Sequence, residues 1–372
     1  MKLPVSFGTK LVFRLLLPGA VLAAVMARIV HTVAISYGIK VPIAYSFLVE
    51  AALWGWLIVV LDMPIYILFE GRRFWPQWIS SALRDLQRAR LLKILRAMRH
   101  YEARMKLLPS YLVQHPCAPS TRVRSNWLME VRCYLGGQRP VMDSRSLSRI
   151  RDWQVRNAKS EASRLYFEAV TKLKDFPLDR RTAMPTVSSP TRLGNLIAAY
   201  EQYPLLKYRL DPAFFWWRIW VTIDKDLREE IDNQQALVDG TLYMVAALFA
   251  AVVVLLAYAF IDWAWPNALM YHEYEGPGFN LLAAVLCLIA GYSLYSISLY
   301  AHSTFGELFK AVFDQNHSKI DLAEIVQFVA ETAGDPSLEN KTFLEKNWAA
   351  YRFLRWHRVK RPSDRWPRRV RT

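Results

Sequence analysis

The chain has 372 residues, 53% of them hydrophobic, yet Lys and Arg outnumber Asp and Glu by 48 to 32 and leave a net charge of +16. A single soluble globule seldom shows both properties, and the length admits one large or two modest domains. The three cysteines are few and form no CxxC, and Cys117 and Cys133 lie in the middle segment that the charge pattern below assigns to a reducing compartment.

Taken from the N-terminus, Leu11–Ser36 and Ala44–Phe69 are long apolar runs interrupted by Arg14, Arg28, Glu50 and Asp62. Each run exceeds the roughly 20 residues that cross about 30 Å of hydrocarbon. The first also fits a signal peptide, with Lys2, Lys10 and Arg14 ahead of Leu15–Met26. Because the apolar run continues past Arg28 and a second run follows directly, an uncleaved hairpin is the preferred expectation. If its turn lies at Tyr37–Pro42, Arg28 falls level with Glu50 and Arg14 level with Asp62. Charges inside a bilayer usually find partners. The expectation is therefore two structural salt bridges or, with His31 one turn beyond Arg28, an ion or proton path.

Residues 71–130 hold twelve basic and three acidic side chains. From Ile79 the pattern is helical, with Ile79, Leu83, Leu86, Ile94, Met98, Tyr101, Met105 and Leu108 on one face. Arg84, Arg88, Arg96, Arg99 and Lys106 cover the other. Such a helix can lie on anionic lipid or pack in a helical bundle with a solvated basic face. It can also bind nucleic acid, but no reading motif supports that. Leu108–Pro140 is loop-rich, with room for a short strand near Trp127–Leu135. Ser144–Lys174 is helical again, with Leu147, Ile150, Ala158, Ala162, Leu165, Ala169 and Leu173 inward, and Pro177–Pro190 is a linker.

Thr191 can cap a helix that Pro204 ends or kinks. Asp211 and Pro212 then start another, carrying Phe214, Phe215, Trp216, Trp217, Arg218 and Trp220. Its apolar run of about 11 residues is too short to span. A base-stacking groove needs aromatics interleaved with basic residues, and here they are contiguous with one arginine. The segment 211–223 is expected to be an interfacial anchor or a buried wedge that couples to the spans. The acidic helix after it, from Asp224 to Asp239, is a natural partner for the basic 77–108 helix.

Thr241–Ile261 and Gly276–Gly306 contain no charged residue apart from His302, and each predicts a transmembrane helix. Alanines 246, 247, 250 and 251 suit close packing in the first. In the second, Ser293, Ser296, Tyr300 and Ser303 share one face, a stripe suited to interhelical hydrogen bonds or to pore lining. Basic residues concentrate in the N-terminus, in 71–240 and after Ser303, so the positive-inside rule puts both termini in the cytoplasm of a bacterial inner membrane. The tail is basic, with Trp356 and Trp366.

The string Thr191-Arg192-Leu193-Gly194-Asn195, with Tyr203-Pro204, Tyr208, Asp211 and Trp216, resembles a recurring block in uncharacterised bacterial polytopic inner-membrane proteins. A second block of theirs is similar to Gly306-Glu307-Leu308, Phe313-Asp314 and Leu322. Trp217 departs from the Trp-Pro-Arg of those proteins. The resemblance implies a polytopic bacterial protein and carries no activity.

Nucleotide, phosphate, zinc-protease and hydrolase signatures are absent. Asp224-Lys-Asp226 matches a DxD but opens a helix, where acidic residues suit the macrodipole. His115-Pro-Cys117 lacks further ligands at zinc spacing. Asp314, Asn316, Ser318, Asp321 and Glu324 imitate a calcium loop without its central glycine. No cofactor or metal is expected.

The expected fold is mainly α: four transmembrane helices as two hairpins plus a helical cytoplasmic region. The parts are a first hairpin in 1–70 (spans about 11–36 and 44–69), a basic cytoplasmic domain in 71–237, a second hairpin in 238–302, and a tail in 303–372. The function expected is a non-catalytic membrane scaffold or sensor that binds a partner or anionic lipid. The alternative is an oligomeric gated channel or pore, such as a stress or antiphage effector. Partners expected are the lipid bilayer, anionic lipids, further copies or a membrane complex, and an acidic protein; nucleic acid is not among them.

Overall fold

A computed structural model describes residues 12–37, 43–114, 144–179, 181–264, 277–320, 323–333, 338 and 340–356. The proposed strand near Trp127–Leu135, His115, Cys117 and the tail beyond Trp356 lie outside the described residues. Every regular element of the described residues is helical. The chain divides into two compact units, residues 1–87 with 177–372 and residues 88–176.

In the first unit, a π-helical turn Val12–Leu16 leads into α1 (Leu17–Ser36). The second apolar run is not one straight helix. It forms α2 (Ile43–Val60) and α3 (Asp62–Glu70), bent by 60°. Pro64 explains the break, because it has no N–H to offer the carbonyl of Val60. α3 ends at Gly71 in the left-handed conformation (φ 74°), whose N–H returns to Leu68 O at 3.1 Å while that of Arg72 returns to Ile67 O.

Two glycines set the register of α1 against α2. A Cβ on Gly19 would collide with the carbonyl oxygen of Ala51, and one on Gly55 with that of Leu15. Backbones this close gain dispersion contact where no aqueous hydrophobic effect operates. In this register Glu50 lies between one and two helical turns from the level of Arg28.

α4 (Gln77–Gln114) crosses from the first unit into the second, which also holds α5 (Ser144–Leu173). Leu91 and Ile94 are buried in α4, as are Ala162 and Ala169 in α5. Leu86, expected inward, is 62% exposed. Arg90 pairs with Asp175 at 3.6 Å and lies over the Phe176 ring.

The remaining helices are α6 (Arg192–Tyr208), α7 (Pro212–Thr222), α8 (Lys225–Ala264), α9 (Pro277–Asn316), α10 (Ala323–Ala333) and α11 (Phe343–Trp356). Pro204 neither ends nor interrupts α6; the helix closes at Arg209, left-handed at φ 58°. α8 and α9 have 40 residues each, about 60 Å, twice the thickness of a bilayer's hydrocarbon. The acidic helix and the third apolar run are thus one element. The two helices pack antiparallel, with Gly291 against Leu248 and Phe249, and Asn280 beside Asp262.

One half of this pair carries a core of its own. Leu193, Leu210, Phe215, Ile219, Ile231, Val312 and Phe313 are buried there, and α10 and α11 add Val329, Ala330 and Tyr351. The helices α10 and α11 therefore belong to a packed head. In the other half Val253, Leu256, Phe260, Val285, Leu286 and Ile289 are exposed, as lipid-facing side chains would be.

Candidate functional site

The intramembrane charges expected to pair within the first hairpin pair instead with α8. The guanidinium of Arg28 forks onto Asp262 at 3.1 and 2.8 Å, its carbon 5.3 Å from the centre of the Tyr258 ring. Asp262 also accepts from Asn280 on α9 at 2.9 Å, and Tyr258 donates to Val25 O. Arg14 bonds Asp239, whose other oxygen accepts from Tyr66 on α3 at 2.6 Å. Asp62 accepts from Tyr243 at 2.7 Å.

The expected Arg28–Glu50 and Arg14–Asp62 pairs are thus corrected. Equal depth within a hairpin does not make two side chains face each other, and the glycine register removes the equal depth as well. Glu50 Oε2 is buried without a hydrogen-bond partner. His31 belongs to α1, and its side chain lies outside the described residues.

The result is two polar layers. One holds Arg28, Asp262, Asn280 and Tyr258; the other holds Arg14, Asp239, Tyr66, Tyr243 and Asp62. His302 joins the second. It is fully buried, its Nδ1 faces Ser298 O at 2.7 Å, and its ring stands edge-on to Tyr66. A carbonyl at Nδ1 fixes the proton there and leaves Nε2 as an acceptor, which has no partner among the described residues. Asp239 and Asp262 are 23 positions apart on one helix, about 35 Å, while Arg14 and Arg28 are 14 apart, about 21 Å. The long arginine stems bridge the difference by reaching in opposite directions.

The expected hydroxyl stripe lies on the outside. Ser293 and Ser296 are exposed and bond carbonyls of their own helix, Ile289 O and Tyr292 O, at 2.9 and 3.1 Å. Tyr300 is 77% exposed and Ser303 half-buried.

The aromatic segment is mostly wedge. Asp211 caps α7 by accepting from Phe214 N at 3.2 Å. Phe215 and Ile219 are fully buried, and Trp216 stacks on Phe309 at 4.9 Å and packs against Trp220. Arg218 lies 4.1 Å from the centre of the Phe214 ring, and Trp217 stands 70% exposed. Arg228 closes the break into α8 by donating to Ile223 O and Val221 O.

The two resemblance blocks meet in space. Gly194 packs on the carbonyl of Glu70, and Asn195 accepts from Ser188 N and Ser189 N and donates to Ser189 O and Thr191 O. That pins the end of α3 to the start of α6, where Arg72 bridges Glu70 and Glu201. Gly306 lets Tyr200 approach α9. Asp314, in the string that imitates a calcium loop without its glycine, accepts from Tyr203, Lys207 and Tyr208 at 2.6 to 3.0 Å. Burial pushes its carboxyl up, but those hydrogen bonds outweigh burial and hold it below the ordinary carboxylate range.

Among the basic residues of α4, Arg88, Arg96 and Arg99 are exposed. Arg84 turns back to Ser80 O at 3.3 Å, and the Lys106 side chain lies outside the described residues.

The sequence reading missed Asp239, Asp262, Asn280, Tyr66, Tyr243 and His302. One signal was available: Asp239 and Asp262 bracket the charge-free Thr241–Ile261, so each marks an end of the run.

The chain is mainly helical, and among the described residues three helices are long and apolar enough to cross a membrane, or four if the bent α2–α3 pair counts as one. Comparison with known protein families, with curated proteins and with solved structures finds no match to this chain.

Proposed function

We propose that the protein is a non-catalytic membrane scaffold that couples a cytoplasmic helical head to a four-span bundle. The observation that carries this reading is the continuity of α8 and α9, each running unbroken from the aromatic core into the apolar half. A rigid helix transmits a shift at one end to the other. The pairing of Arg14 with Asp239 and of Arg28 with Asp262 makes α1 parallel to α8, so the chain must return between them. That supports α2–α3 as a broken span rather than a re-entrant loop. The carboxylates, about 35 Å apart, match the two margins of a roughly 30 Å slab, with apolar helix between. Such an arrangement staples the bundle and leaves no charged path through its middle. Exposed Arg88, Arg96 and Arg99 supply the contact to anionic lipid headgroups.

The test is a nitroxide label at Leu237, which is 47% exposed at the junction of the two halves of α8. In full-length protein in nanodiscs, its mobility should differ between zwitterionic and anionic lipid. The combined Arg88→Glu, Arg96→Glu and Arg99→Glu variant should abolish the difference. A label that never responds rejects coupling by lipid charge.

A second reading, an oligomeric pore, is favoured by the outward hydroxyls of Ser293 and Ser296, which could line a path only between copies. Ion flux in proteoliposomes that Ser293→Leu blocks would establish it over the scaffold.

A further inference from the structure

Glu50 is left over once the ion pairs are assigned. It lies near the middle of the 18-residue α2, about 10 Å from one end and 15 Å from the other. Its chain neighbour Ala51 is buried against Gly19, which lies between Arg14 and Arg28 on the first helix. That puts Glu50 between the two polar layers rather than in either. Leu48, Val49 and Leu53, beside it on α2, are about 60% exposed, with side chains suited only to hydrocarbon.

Among the described side chains, the cations on the elements packed against α2 are engaged elsewhere; the side chain of His31 on α1 lies outside them. On α1 and its leading turn, Arg28 is forked onto Asp262 and Arg14 is bound to Asp239. The charged groups of α3 and α8 at this bundle are carboxylates, Asp62, Asp239 and Asp262, and Asp62 is engaged by Tyr243. Among the described residues Glu50 makes no hydrogen bond or ion pair, and its Oε2 is buried. An ionised carboxylate in hydrocarbon with neither counter-charge nor donor costs far more than binding a proton.

We infer that Glu50 is a proton-binding site in the hydrocarbon, held as a neutral carboxylic acid and reachable from lipid. This goes beyond the scaffold reading and rests only on α2 lying in a membrane. A protonated carboxyl away from water has a distinctive reaction with lipid-soluble carbodiimides. The acid O–H adds across one C=N bond, the proton going to nitrogen and the oxygen to carbon. With no water to hydrolyse it, the O-acylisourea rearranges by O-to-N acyl shift to a stable N-acylurea, and nothing is lost.

The experiment treats full-length protein in liposomes at neutral pH with dicyclohexylcarbodiimide, and in parallel with a water-soluble carbodiimide, followed by peptide mass spectrometry. The N-acylurea is expected on the peptide containing Glu50 with the lipid-soluble reagent alone, and Glu50→Gln should lose it. Labelling of Asp62, Asp239 or Asp262 in preference to Glu50 would overturn the proposal. Folding gives a second, independent readout. Gln mimics the neutral acid, so Glu50→Gln should unfold at the parent's midpoint below about pH 4, where the unfolded chain's carboxyl is protonated too. At neutral pH it should unfold at a higher midpoint than the parent. As pH rises the parent alone should weaken, because only its unfolded state gives up the proton freely. A Glu50→Gln protein already destabilised at neutral pH would show that an ionised carboxylate serves a cation, and would overturn the proposal too.

Discussion

The two polar layers use the same chemistry to different ends. Around Arg28, guanidinium and carboxylate are both closed off, at 9% and 3% side-chain exposure, and the remaining carboxylate capacity goes to Asn280 of the neighbouring helix. Around Arg14, the arginine is 32% exposed and shares Asp239 with Tyr66, while Tyr243, Asp62 and His302 crowd nearby. The first is a closed staple between three helices. The second sits where α3 turns across the bundle towards α6, and it divides its hydrogen bonds among more partners. Burial decides the difference: a fully enclosed pair fails all at once when broken, whereas a partly open one can give its charge back to water.

That contrast can be broken in graded steps. Asp262→Ala removes the carboxylate onto which the enclosed Arg28 forks and should cost about 3–5 kcal/mol. The measurement is denaturant unfolding of the reconstituted protein. Asp239→Ala frees an arginine that can reach the surface, so the loss should be smaller, about 1.5–3 kcal/mol. Equal losses at the two aspartates would erase the distinction between a closed and an open layer. Gly55→Val, which pushes a side chain into the Leu15 carbonyl, should cost about 1–3 kcal/mol and shift the α1–α2 register. Cysteine cross-linking across that hairpin would report the shift. Tyr66→Phe removes one shared hydrogen bond at the second layer and should cost about 1 kcal/mol.

The smallest effect belongs to the head. The Asp314 carboxyl is held below its ordinary range, so its contribution is present above the unfolded-state value near pH 4 and is lost as pH falls through the lower folded value. Unfolding midpoints of the parent and of Asp314→Asn should therefore converge below about pH 4 and differ by a constant amount above it.

Much of the helical plan was legible. The charge-free runs marked α8 and α9, and Asp211-Pro212 marked the start of α7 with the cap it uses. Helix breaks were harder. Pro64 sits in an apolar run that looks continuous, and its missing N–H matters only once the helix is built. Pro204 looks like a terminator but is tolerated inside α6. The candidate site was legible in part. Arg14 and Arg28 stood out as charges in apolar runs, but their partners lie 225 and 234 positions away. No local pattern links residues at such separations.

The sequence by itself determined that this chain holds long apolar helices beside basic and aromatic ones, because span length and helical periodicity are properties of consecutive residues. Tertiary structure alone decided which charge meets which. Gly19 and Gly55 let two backbones touch and so set the hairpin register, which carried Glu50 away from Arg28 and left it, among the described residues, without a partner between two ion-paired layers. Pairing depends on the facing of helices packed in three dimensions, and facing follows from contacts the linear order does not contain.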